Sequence, residues 1–122
     1  MKNHLLLVLL GLAISLPLAS CNRNILNSLT TISPGKQFEL GGNQRGAFKA
    51  HLENVGTVPV TISERLTDGK SINRGLFQPG DRQTVQFAAG SAVLVDNASP
   101  QSAQLRLVIT GDKDLSMREH SK

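Results

Sequence analysis

The chain has 122 residues, with 13 Lys and Arg against nine Asp and Glu, a formal charge of +4 and a single cysteine. One cysteine excludes an intramolecular disulfide. Tyr and Trp are absent and no run of Lys and Arg stands out, so nucleic acid is not expected as a partner: there is no phosphate-tracking cluster and no stacking platform.

In chain order, Lys2 precedes an apolar run from Leu5 to Leu16, interrupted only by Gly11 and Ser15. That length suits the apolar region of a secretory signal and falls short of a membrane span. Leu18-Ala19-Ser20-Cys21 closes the run: an aliphatic residue, two small residues, then the cysteine. This tetrapeptide resembles the lipobox of bacterial lipoproteins. The resemblance implies a signal peptide over residues 1–20, cleavage between Ser20 and Cys21, and lipidation of the Cys21 thiol at the mature N-terminus. Two or three acyl chains, at about 0.8 kcal/mol per buried CH₂, hold a protein firmly to a bilayer. An ordinary secretory signal and an uncleaved anchor are the competing readings. Removing Lys2 from the +4 total leaves mature side chains that sum to +3. Asn22 stands where the inner-membrane retention signal of enterobacterial lipoproteins has Asp. By that analogy the anchor lies in the outer membrane, facing the periplasm.

Residues 21–36 show little pattern and read as the lipidated N-terminus and a tether, with room for a short edge strand at Leu29–Ile32. Ser33-Pro34-Gly35 marks the turn into the domain.

From there the apolar period is two. Phe38 and Leu40 alternate with Gln37 and Glu39; Phe48, Ala50 and Leu52 alternate with Lys49, His51 and Glu53. Val58, Val60 and Ile62, then Val85 and Phe87, then Leu105, Leu107 and Ile109 repeat the pattern. Each run can bury one face and wet the other. "SAVLVDN" is apolar throughout and reads as a central strand, whereas Pro59, lacking a donor, suggests an edge position or an outward N–H. Gly, Pro, Asn and Asp cluster between the runs, at "GGNQRG", "ENVGT", "TDGK", "QPGD", "AAGS" and "NASP". No helical period follows the leader. Six to seven short strands at this spacing predict an all-β chain, a single β-sandwich over residues 37–111. The polar residues 112–122 are expected to fray as a C-terminal tail, although Leu115 and Met117 could extend the last strand.

Asn54, Gly56, Pro59, Val60 and Ile62, followed by Pro79, Gly80, Val85 and Phe87, are similar to a pattern in prokaryotic immunoglobulin-like domains of the major-sperm-protein-like kind. About a third of the chain is covered. The resemblance implies an immunoglobulin-like sandwich and, by analogy only, a scaffolding or binding role.

Local motifs that would carry chemistry do not hold together. "DGKS" at Asp68 lacks the first glycine of a phosphate-binding loop, Glu64 standing in its place, and lies in strand-and-turn sequence. "SPGK" at Ser33 lacks the partner motifs of penicillin-binding enzymes. "DKDLS" at Asp112 begins like a calcium loop, but its sixth position is Met117 and its twelfth would fall beyond Lys122. His51 sits on the polar side of its strand, with no second His or Cys at ligand spacing. The expectation is therefore no enzyme, no metal and no cofactor. Two functions stand. One is a membrane-anchored envelope lipoprotein acting as an interaction or assembly module for an envelope protein or polymer, with Arg45, Lys70 and Arg74 as loop residues for binding. The other is a carrier of a small apolar ligand. Lack of Tyr and Trp disfavours aromatic hot spots, and strand addition through backbone bonds suits the composition better.

Overall fold

A computed structural model describes residues 25–112 and 114–121. Nine strands follow in chain order: β1 (Ile25–Ile32), β2 (Lys36–Gly41), β3 (Phe48–Asn54), β4 (Val60–Arg65), β5 (Ser71–Phe77), β6 (Arg82–Phe87), β7 (Ala92–Asp96), β8 (Ala103–Gly111) and β9 (Met117–Ser121). They form two antiparallel sheets, ordered β1-β8-β3-β6 and β5-β4-β7-β2-β9. The chain is an all-β sandwich.

Alternation places the core. β3 buries Phe48, Ala50 and Leu52, and β8 buries Ala103, Leu105, Leu107 and Ile109. Antiparallel register sets Leu52 beside Leu107 and Ala50 beside Ile109. Phe48 pairs with Phe87, and their rings stack at 5.2 Å, a contact worth about 0.5–1.5 kcal/mol beyond its buried area. β7 lies between β4 and β2 and is buried on both faces from Ala92 to Val95, as its unbroken apolar run predicts.

Four connections cross between the sheets at one end, which we call the far end. Residues 33–35 join β1 to β2, 55–59 join β3 to β4, 78–81 join β5 to β6 and 97–102 join β7 to β8. With sheets about 10 Å apart, links this short leave each joined pair face to face. The sheets therefore stack as β1 on β2, β8 on β7, β3 on β4 and β6 on β5, the winding of a jelly roll. β9 overhangs beyond β2, with no strand facing it among the described residues. The near end carries the start of β1 and the connections 42–47, 66–70 and 88–91.

Buried amides lock the far end. Asn97 donates through Nδ2 to the carbonyls of Ile32 at 3.0 Å and Gln101 at 2.7 Å. Asn54 donates to those of Val58 and Phe77, both at 2.9 Å. Its Oδ1 accepts the Gly56 N–H at 3.0 Å. A Cβ on Gly56 would lie 2.8 Å from the Gln104 nitrogen, so the Asn-x-Gly motif is a turn lock with no room for a side chain.

Several expectations are corrected. There are nine strands in place of six or seven. The stretch read as a tether contains all eight residues of β1, an edge strand along β8. The stretch read as a fraying tail contains β9, which pairs with β2 instead of extending β8. Pro59 precedes β4, a strand paired on both sides, so its missing donor is outside the ladder. The winding also differs from the immunoglobulin one, in which the first two strands share a sheet; here β1 and β2 lie in different sheets.

Candidate functional site

Ser20 and Cys21, the proposed cleavage and lipidation residues, lie outside the described residues. Arg45 and Lys70 are exposed in near-end loops. Arg74 is not a loop residue. It lies in β5, where Ile62 pairs with Gly75 and Ser63 with Asn73, leaving Arg74 as the extra residue of a bulge. Bulges re-aim side chains, and this one brings the Arg74 guanidinium to the Glu64 carboxylate. Arg74 is therefore committed to Glu64, whereas Arg45 and Lys70 are loop residues.

Glu64 shares the inward side of β4 with Val60 and Ile62, in register with Val93, and is only 2% exposed. Burial alone would push its carboxyl up. The Arg74 guanidinium, the Ser91 side chain and the Ala88 amide outweigh that and hold it below the usual carboxylate range. Arg74 Nε is buried without a hydrogen-bond partner. A charge pair thus sits buried at the inward face of β4, next to Val60 and Ile62.

A second carboxylate is buried on the outer face. Glu39 accepts from Arg65 at 2.5 Å and Arg118 at 3.3 Å, and His120 Nε2 lies 3.1 Å away. Burial raises its pKa, but the bonds to Arg65, Arg118 and His120 prevail and lower it to about 2. The cluster fastens β9, whose five residues bury no side chain fully, across β2 to β4.

The remaining polar groups are structural. Asp112 accepts the N–H groups of Gly46 and Asp114, at 2.8 and 2.9 Å, and those backbone bonds lower its pKa. His51 Nδ1 lies 2.8 Å from Thr84 Oγ1 on the outer face of the four-stranded sheet. Among the described residues no three His, Cys, Asp or Glu side chains gather as a metal site. Two shallow depressions, of about 160 and 190 Å³, open on the β1-β8-β3-β6 sheet, at Lys49 and Thr110 and at Leu29 and Arg106.

The sheet edges differ more than the loops do. Unpaired edge strands are normally blunted by charge, proline or bulges. β5 has its bulge, β9 has Arg118, Glu119 and His120, and β6 has Arg82. β1, with the sequence ILNSLTTI, has none of these over eight residues. Its outward Ile25 and Leu29 are 52% and 60% exposed. Sequence reasoning undervalued this strand because its inward set, Leu26, Ser28, Thr30 and Ile32, is half polar and gives no clean apolar period. Its β-branched content and lack of charge were the available signal.

No family model matches the chain, and no curated protein matches it. Among solved structures, the crystal structure of the Yersinia pseudotuberculosis-derived mitogen (YPM) is similar at a TM-score of 0.45 and 15% identity, over 76% of this chain and 94% of that one.

Proposed function

We propose that this protein is a lipid-anchored bacterial envelope lipoprotein, held in the outer membrane facing the periplasm, and that it acts as a non-catalytic interaction module through the β1 edge. The carrying observation is that β1, the unguarded edge, begins only four residues after Cys21. Four residues of chain span at most roughly 14 Å. An acylated Cys21 therefore holds the near end close to the bilayer and fixes the height at which β1 meets a partner. Backbone groups along such an edge give affinity to an added strand, while exposed side chains such as Leu29 select it.

The carrier reading draws less support. The two depressions lie on the outside of a sheet, and the space between the sheets is occupied by the core side chains from Ile32 to Ile109.

Crosslinking in intact cells, with mass spectrometry of the purified protein, tests the proposal. The expected result is an acylated Cys21 N-terminus and one dominant envelope partner, lost on Cys21→Ala. An unmodified Cys21 removes the anchor, and no partner above background removes the module.

A further inference from the structure

The five-stranded sheet is wider than its neighbour on one side only, where β9 overhangs. The place facing β9, alongside β1, is occupied by no strand among the described residues. We infer that this place takes a single extended segment of another protein, added as a fifth strand of the β1-β8-β3-β6 sheet. The inference rests on β1 being the contact edge and goes on to define what fits there.

β9 forms the roof. Met117 pairs with Leu40, and Glu119 with Phe38. Leu40 and Phe38 point into the core, so Met117 and Glu119 point to the same side, over the empty place. Both are exposed, Met117 by 39%. Leu26 borders the place from β1 and Leu115 from the link into β9, both packed against the core and only partly buried. Glu119 reaches the end of β1, where its carboxylate accepts the Ser33 N–H at 2.6 Å.

The slot is one strand wide, and with β9 in place it has no room for a second copy paired antiparallel through its own β1. A copy added through its own β1 would bring its β2 to face that strand, into the space β9 already fills. A lone segment brings no second layer.

Charge defines the segment further. β1 carries none; Glu119 is the ionisable residue on the inward side of β9, its carboxylate bonded to Ser33, and Lys36 stands on the same side of β2, donating to Ser121 Oγ at 2.9 Å. Arg106, beside Leu29 in register, stands half exposed on the outer rim, 3.6 Å from Glu53. The fitting segment is amphipathic. Its inward residues are apolar near Leu26 and Met117 and basic near Glu119; its outward residues cover Leu29 and place an acid beside Arg106.

The test uses the mature lipidated protein in detergent micelles and short synthetic peptides of alternating valine and threonine. One peptide carries a lysine on the valine face near its end, the other a glutamate. Amide exchange across Ile25–Ile32 is the readout. The lysine peptide is expected to slow exchange in β1 more than the glutamate peptide, by roughly threefold in affinity, the scale of a rim-exposed pair. Glu119→Gln should abolish the preference without affecting the fold. No slowing in β1 with either peptide overturns the inference, as does slowing confined to β6. Self-association in sedimentation, removed by Leu29→Lys, overturns the single-segment reading and leaves β1 as the contact edge. A cellular partner that crosslinks from β6 and not from β1 overturns the proposed function itself.

Discussion

Two buried carboxylates show how a single residue can depend on an element far away in sequence. Glu39 stands on the outer face, where alternation alone makes it a wetted side chain; Arg65 and the β9 residues Arg118 and His120 cover it. Its pKa is lowered to about 2 from 4.5, so the cluster's contribution to stability is complete above about pH 4.5 and fades as the pH falls toward 2. Urea unfolding of Glu39→Gln should therefore vary less with pH across that interval than the parent protein; an unchanged pH dependence would show that the cluster contributes nothing. Glu64 is the inverse case. Parity with Val60 and Ile62 places it inward, one step beyond where the apolar alternation read from sequence stops, and only the β5 bulge turns Arg74 toward it. Arg74→Met should cost about 3 kcal/mol, the low end for breaking a buried pair because Arg74 is 34% exposed. Glu64→Leu combined with Arg74→Met should recover most of that loss in equilibrium urea unfolding.

At the scale of elements, strands with a clean period of two were readable and strands without one were not. β3, β4 and β8 bury every second residue, and each was visible in the alternation of Phe, Ala, Leu, Val and Ile with polar neighbours. β7 was visible as a strand buried on both faces. β1 is foreseen only as a short edge strand at Leu29–Ile32, and β5 and β9 not as strands of their own, for one physical reason: all three are edges without a clean apolar period, held mainly by backbone ladders and polar contacts. β1 orients Ser28 and Thr30 toward the sandwich, bonded to each other at 3.0 Å. β9 is held by the Glu39 cluster and by Glu119 on Ser33. A chain ending at Asp112 loses β9, which buries no side chain fully, and Leu115, which packs on the core; it should keep the jelly roll and lose about 2–3 kcal/mol, from unpaired polar groups around Glu39 and the Leu115 contact. Faster amide exchange confined to β2 is the expected signature, and global unfolding would show that β9 belongs to the core.

For the whole molecule, alternation and turn chemistry were enough to imply a sandwich, but not its winding. Strand order depends on which strands the far-end links join across the sheets, and Asn54 and Asn97, which lock those links, look in sequence like ordinary turn residues. The candidate site was legible only in part: Arg45 and Lys70 fall at the near end as loop residues, whereas Arg74 is committed to Glu64 and the edge that matters lay in the presumed tether. The proposed lipid anchor at Cys21 and the open edge starting at Ile25 would together make a module that meets its partner at a set distance from the membrane. Site-resolved photocrosslinking in intact cells tests this most directly, with the probe placed in turn at Asn27 and Thr31 on β1, Gln86 on β6, Asn73 on β5 and Glu119 on β9. One envelope protein captured from Asn27 and Thr31, with capture lost on Cys21→Ala, is the expected result. Capture of the same protein from Gln86 or Asn73 with none from β1 would contradict it.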